Sequence, residues 1–152
     1  AIRAVDRVPS AKLLVAGEGR PRAHPRARYL GRRGDTAALY AASDALILPT
    51  LYDPFPNACL EAMASGIPVI VSRVAGVSEI IDGDSIVVED PADVEALAAA
   101  VRRLEDPAYR RALGEAARRK ALLYPPSRVV EETLRVYEDV RSIKTSAKRE
   151  AD

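Results

Sequence analysis

The chain has 152 residues, 48% of them hydrophobic, which suits one domain with a buried core and is too little for two full domains. Its 23 Lys and Arg against 22 Asp and Glu leave a formal charge of +1, which excludes an overall field that would draw it to nucleic acid or to an anionic membrane. A single Cys and a single His exclude an internal disulfide, a Cys-based zinc cluster and a multi-His centre, and point to a reducing compartment.

No apolar run approaches the roughly 20 residues that span a bilayer, and residues 1–8 lack the design of a signal peptide. The chain therefore reads as soluble and cytoplasmic. It begins at Ala1 rather than Met, which suggests a fragment of something longer.

In chain order, residues 12–16 form a short apolar run that empties into Gly17-Glu18-Gly19, the pattern of a buried strand followed by a turn. Residues 26–30 repeat it before Gly31. Asp35 can cap a helix over 35–42, and residues 45–49 supply a third strand. A helix over 57–64 has Asn57 as its expected cap and stops at Ser65-Gly66. Residues 67–71 form a fourth strand, with Pro68 tolerable near its start. One or two helical turns over 77–81, a turn at Asp82-Gly83-Asp84 and a fifth strand over 85–88 follow. From Pro91 the spacing becomes helical, with Val94, Leu97, Ala98, Val101 and Leu104 on one stripe. Two more helices are expected over 107–122 and 127–143, and residues 144–152 read as a polar, frayed tail. Continuous apolar strands alternating with helices imply an α/β fold: a Rossmann-like parallel sheet with helices on both faces, over residues 1–143.

Several residues carry candidate chemistry. Asp53 lies in the loop leaving a strand and Glu61 in the first turns of the next helix, at the edge of an open α/β sheet where ligands bind. The neighbours of Glu61 are apolar, so the helix should be buried and the carboxylate must meet a partner. Two readings stand: a structural bond or ion pair to Arg32, Arg33 or Arg73, or a carboxylate that accepts two sugar or ribose hydroxyls. The amides of Asn57 and Ala58 open from a helix N-terminus and favour phosphate, although every helix has such an end. Gly17-Glu18-Gly19 lacks the third glycine of a dinucleotide-binding turn. Asp82-Gly83-Asp84 mimics a metal-binding Asp-x-Asp but reads better as a turn. His24 reads as a solvated loop residue, Cys59 as a small core residue, and the Arg-rich segments near 102, 110 and 118 as solvated helix faces.

Taken together, residues 41–50 and the segment Asp53-Pro-Phe-Pro-Asn-Ala-Cys-Leu-Glu-Ala-Met-Ala-Ser-Gly-Ile-Pro-Val-Ile-Val71 resemble the C-terminal, donor-binding domain of retaining GT-B glycosyltransferases of family 4. The likeness extends from residues 13–19 through 29–31 and 78–81 to 90–97 and the closing helices. In that family two acidic residues flank seven others, the first binding donor-sugar hydroxyls and the second the nucleotide ribose. The resemblance places these on Asp53 and Glu61. It gives Phe55 and Pro56 to the donor sugar, Asn57 and Ala58 to the phosphates, and Leu30, Gly31, Arg32 and Arg33 to the base. Two departures stand out: Asp53 replaces the more usual Glu and reaches one methylene less far, and Pro56 removes an amide that a family Gly would supply. The Asp53 form resembles the branch that includes lipopolysaccharide-core glucosyltransferases.

The resemblance implies transfer of a sugar from a nucleotide diphosphate sugar with retention, without an essential metal or other cofactor. It also implies an N-terminal acceptor domain, which could make a peripheral membrane association, and a first strand of this domain between the strands at Leu13 and Ala45. Neither is present, so the sheet should have a gap and the chain alone should be inactive. Rival readings are a non-catalytic nucleotide-sugar or protein-binding module, a GT-B sugar epimerase, and a receiver-like signalling domain. The strand end at Pro49-Thr50 and the scarcity of Lys argue against the last.

Overall fold

In the computed structural model, residues 1–143 are described in full and residues 144–151 by their helical backbone alone. The polar tail expected at 144–152 thus lies outside the fully described residues. The chain divides into two units, Ala1–Ala121 and Leu122–Asp152.

The first unit runs α1 (Ile2–Asp6), β1 (Leu13–Ala16), β2 (Ala27–Gly31), α2 (Thr36–Ala41), β3 (Leu46–Leu48), α3 (Asn57–Ala64), β4 (Val69–Ser72), a 3-10 turn (Gly76–Ile80), β5 (Ile86–Val88), α4 (Val94–Arg103) and α5 (Pro107–Ala121). All strand pairs are parallel, as the alternation of strands and helices requires. The strands do not form one sheet. β1 pairs only with β2, and β3, β4 and β5 make a separate sheet in that order. The expected gap is therefore real: one edge of β1 and one edge of β3 carry no ladder partner among the described residues.

Burial follows the gap. β4, paired on both sides, is buried at all four positions, whereas the apolar β3 is only half-buried and β1 alternates half-buried with exposed. The period-two alternation of β-strands sorts the three-stranded sheet into two faces. Ile47, Ile70, Ile86 and Val88 meet α1 and α4 through Ala4, Val8, Leu97 and Leu104. Leu46, Leu48, Val69, Val71 and Val87 meet α2 and α3 through Tyr40, Cys59, Ala62 and Met63, with Ala117 of α5 beside them. Both faces of this sheet are thus covered, while no residue of β1 or β2 joins either core cluster.

Helix α1 was not foreseen from the sequence. It turns Ala4 and Val5 inward, and Arg7 just beyond it pairs with Glu95 of α4 at 3.1 Å. α4 starts at Asp93, whose carboxylate accepts the Ala96 amide at 2.9 Å. The three helix faces expected to be solvated are all engaged: Arg102 donates to the Arg7 carbonyl at 3.3 Å and Arg103 to the Tyr109 hydroxyl at 2.5 Å, Arg110 reaches Asp44 at 3.1 Å, and Lys120 lies 3.7 Å from the buried Asp84.

The second unit is α6 (Pro126–Ala151), longer than the expected helix, preceded by Leu122 and Leu123. Val129, Val130, Leu134, Tyr137 and Ile143 on it are exposed. No helix among the described residues is long and apolar enough to cross a membrane.

Candidate functional site

Parallel strands deliver their following loops to the C-terminal edge of a sheet, and the candidate residues lie at or beyond the C-terminal ends of β2 in one sheet and β3 in the other. Leu30 and Gly31 end β2, Arg32 and Arg33 follow it, Asp53 to Pro56 lie in the loop after β3, and α3 begins at Asn57. The loop after β1 joins them: the Gly17 amide donates to the Gly31 carbonyl at 2.9 Å, and Arg32 reaches Glu18 at 3.5 Å.

The loop between β3 and α3 leaves the sheet and returns to it. Leu51 and Tyr52 stand well out into solvent, and pairing then resumes at a parallel bridge between Asp53 and Ala75. The Gly76 amide donates to the Asp53 carbonyl at 3.0 Å, and the buried Ser72 hydroxyl donates to the Thr50 carbonyl at 2.6 Å. Asp53 itself is half-buried. Its charge contributes, after burial, to pushing the Cys59 thiol up to about 12, which leaves Cys59 protonated and inert.

Pro56 occupies the cap position of α3, and Asn57, expected as the cap, is instead its first helical residue. Proline fits because its fixed φ suits chain entry and the helix needs no N–H there. No side chain caps this end, so the amides of Asn57 and Ala58 have neither a capping oxygen nor a carbonyl one turn back. Pro56 is buried, leaving Phe55 and Asn57 exposed beside it.

Glu61 departs from the expectation. It is exposed rather than buried, and its partner is none of the three arginines considered. Those are taken elsewhere: Arg32 by Glu18, Arg33 by Asp35 at 2.5 Å, and Arg73 by Glu89 at 2.8 Å. The Tyr40 hydroxyl donates to Glu61 Oε2 at 3.0 Å instead. Tyr40 lies on α2 and was not among the candidate residues. Burial, together with the bond to Glu61, pushes its hydroxyl up to about 12, so it remains a donor.

Asp35 stands at the cap position of α2, but Arg33 has taken its carboxylate and it makes no capping bond. His24 is likewise not a free loop residue. It accepts the Arg26 amide on Nδ1 at 3.2 Å and sits 3.1 Å from Asp6 through Nε2, tying the approach to β2 to the end of α1. The Asp82-Gly83-Asp84 segment is the turn expected, with Gly83 at φ +74. No group of three or more His, Cys, Asp or Glu that could hold a metal ion is gathered among the described residues.

Residues 1–106 match the family model described as "Glycosyl transferases group 1". This chain belongs to that family. Among curated members, it is 38% identical over 108 residues to the MMP alpha-(1->4)-mannosyltransferase of Mycolicibacterium hassiacum, a match covering 68% of this chain and 26% of that enzyme. Among solved structures, the sucrose-phosphate synthase of Thermosynechococcus elongatus superposes with a TM-score of 0.82 at 27% identity, over 93% of this chain and 41% of that one. Anabaena Alr3699/HepE, solved in complex with UDP-glucose, shares the fold with a TM-score of 0.72 at 20% identity, over 92% of this chain and 44% of that one. This glycosyl transferase chain thus spans between about a quarter and less than half of these relatives. The α/β architecture of parallel sheets flanked by helices is the GT-B type that the sequence implied.

Proposed function

We propose that this chain is the donor-binding, C-terminal half of a retaining family 4 glycosyltransferase, a cytoplasmic enzyme that moves a sugar from a nucleotide diphosphate sugar to an acceptor. The observation that carries the reading is the arrangement around α3: Asp53 and Glu61 flank an uncapped helix N-terminus on the ligand-binding edge, and Glu61 is held by a neutral tyrosine rather than by a neutralising cation.

Each part has a role that its chemistry suits. Glu61, exposed and with acceptor capacity beyond its bond to Tyr40, accepts hydroxyls of the ribose. The Asn57 and Ala58 amides, at the positive end of the α3 dipole, meet the diphosphate and stabilise charge that develops on it as the sugar leaves. Asp53 accepts hydroxyls of the sugar, with Phe55 and Pro56 beside it. The segment at Leu30, Gly31, Arg32 and Arg33 lies against the base, and since Arg33 is tied to Asp35 and Arg32 to Glu18, contact there falls first to the backbone. No metal is needed in this scheme. An additional strand between β1 and β3 and an acceptor domain complete the enzyme, and closure of the two domains excludes water.

The test is calorimetric titration of the full-length protein with UDP-, GDP- and ADP-sugars, for wild type, Glu61→Ala and Asp53→Ala. Support is binding of one donor that Glu61→Ala weakens together with the bare nucleotide, and that Asp53→Ala weakens mainly when the sugar is attached. If no donor binds and both variants merely destabilise the fold, the carboxylates are structural and the reading fails.

A further inference from the structure

Gly76 occupies an unusual place beside the loop that carries Asp53. A Cβ built on it would lie 1.6 Å from the Pro54 carbonyl oxygen and 2.7 Å from the Pro54 carbonyl carbon, both backbone atoms that cannot swing away as a side-chain tip could. The same residue donates its amide to the Asp53 carbonyl at 3.0 Å, and its neighbour Ala75, fully buried, bridges to Asp53. The Asp53-Pro54 backbone is therefore seated directly on the 3-10 turn that follows β4, at a distance only glycine permits.

We propose that Gly76 is a positioning residue for donor recognition: its bare Cα lets the loop after β3 lie flush on the end of β4, which sets where Asp53 presents its carboxylate. The inference rests on the reading of Asp53 as the group that binds the donor sugar. The loop has few other restraints. It is fixed at its start by Ser72 on the Thr50 carbonyl, its exposed bulge at Leu51 and Tyr52 is tied only to Thr50 itself, whose hydroxyl donates to the Tyr52 carbonyl at 3.0 Å and accepts the Tyr52 amide at 3.3 Å, and it meets the sheet again at Asp53. A side chain at 76 must lift the second anchor. The displacement falls on Asp53 and Pro54, while Glu61 and Tyr40 are held through the α3 and α2 core contacts and stay in place. Asp53 is short, so it has little reach with which to recover.

The experiment uses the full-length protein, with UDP and UDP-glucose as the first probe pair and GDP and GDP-mannose as the second. The quantity read is the ratio of affinities for the sugar-bearing and sugar-free nucleotide. For Gly76→Ala this ratio is expected to fall by about tenfold or more, since a misplacement of about 1 Å can cost on the order of a hundredfold. The affinity for the bare nucleotide should stay within about twofold, well under the tenfold that corresponds to 1.4 kcal/mol. The double variant Asp53→Ala with Gly76→Ala should show no further loss of the ratio than Asp53→Ala alone, because both act through one carboxylate. Ser72→Ala, which frees the first anchor without adding volume, should lower the same ratio to a smaller extent and serves as the readout if Gly76→Ala does not fold. The proposal is overturned if Gly76→Ala keeps the wild-type ratio while Asp53→Ala loses it, or if either anchor variant lowers both affinities equally, as a merely structural role would. If Asp53→Ala itself leaves the ratio unchanged, the sugar-binding reading of Asp53 fails and the inference falls with it, an outcome the single Asp53 variant identifies.

Discussion

The Tyr40 hydroxyl on α2 donates to the Glu61 carboxylate on α3 at 3.0 Å, joining the two helices through one hydrogen bond. The bond uses one lone pair of a four-site acceptor, so Glu61 is oriented with acceptor capacity to spare.

Tyr40→Phe should therefore act on the nucleotide rather than on the sugar. Affinity for nucleotide and nucleotide-sugar should drop together by about three- to tenfold, the equivalent of a hydrogen bond worth about 1 kcal/mol, with their ratio unchanged. Calorimetry on the Phe variant beside Glu61→Gln checks this, and a change confined to the sugar-bearing ligand would refute the positioning role.

Alkaline pH should expose the same tyrosine. Tyr40 and Cys59 are both held up to about 12 in the fold, against ordinary values of 10.0 and 9.0. An acid whose folded value is raised contributes stability below its ordinary value and loses it as pH rises toward the folded one. Urea unfolding should accordingly show stability falling between about pH 9 and 12, with a shallower fall in Tyr40→Phe and in Cys59→Ala. Parallel slopes in all three proteins would count against the assignment.

Asp84 is a buried carboxylate whose Oδ1 has no hydrogen-bond partner among the described residues. Burial holds its carboxyl above the ordinary 3.8, with Lys120 acting in the opposite direction. Its charged form therefore costs stability as pH rises through that value, and Lys120 offsets part of the cost. Lys120→Met should destabilise the protein at pH 7 by about 1–3 kcal/mol, the penalty of leaving a buried polar group unmet. The loss should shrink toward pH 4, where the carboxyl takes up a proton, and Asp84→Asn added to Lys120→Met should recover most of it. Thermal melts at the two pH values decide the matter.

Gly114 of α5 sits against the turn that ends α3, where an added Cβ would lie 2.2 Å from the Gly66 carbonyl oxygen. Alanine normally favours a helix by about 1 kcal/mol over glycine. Here the sign should reverse, with Gly114→Ala costing about 1–3 kcal/mol from overpacking. A melting temperature equal to or above wild type would show that the two helices can separate freely.

The strands and most helices were readable because their residues alternate apolar runs with turn formers, and α3 was placed over its observed span. The paired carboxylates were readable through the family resemblance. Four features were not. Helix α1 is only five residues long and earns its place through packing on α4, a tertiary effect that no short window shows. The Tyr40–Glu61 bond joins residues 21 apart whose side chains each have a simpler local reading. Glu61 was expected to be buried because its sequence neighbours are apolar, yet a helix can bury Cys59, Ala62 and Met63 while position 61 faces outward. The place of Gly76 was not legible either, since the Pro54 carbonyl against it comes from a different strand's loop.

The division of the strands into a pair and a trio bears on cooperativity. Each group forms from contacts local in sequence, the pair within residues 13–31 and the trio within 46–88, and no ladder hydrogen bond couples one to the other. Two such groups can open independently, each with its own free energy, instead of melting in one step. A strand laid between β1 and β3 would do more than add its own hydrogen bonds: it would convert two separately opening units into one. Amide exchange would register that change as the merging of two protection classes.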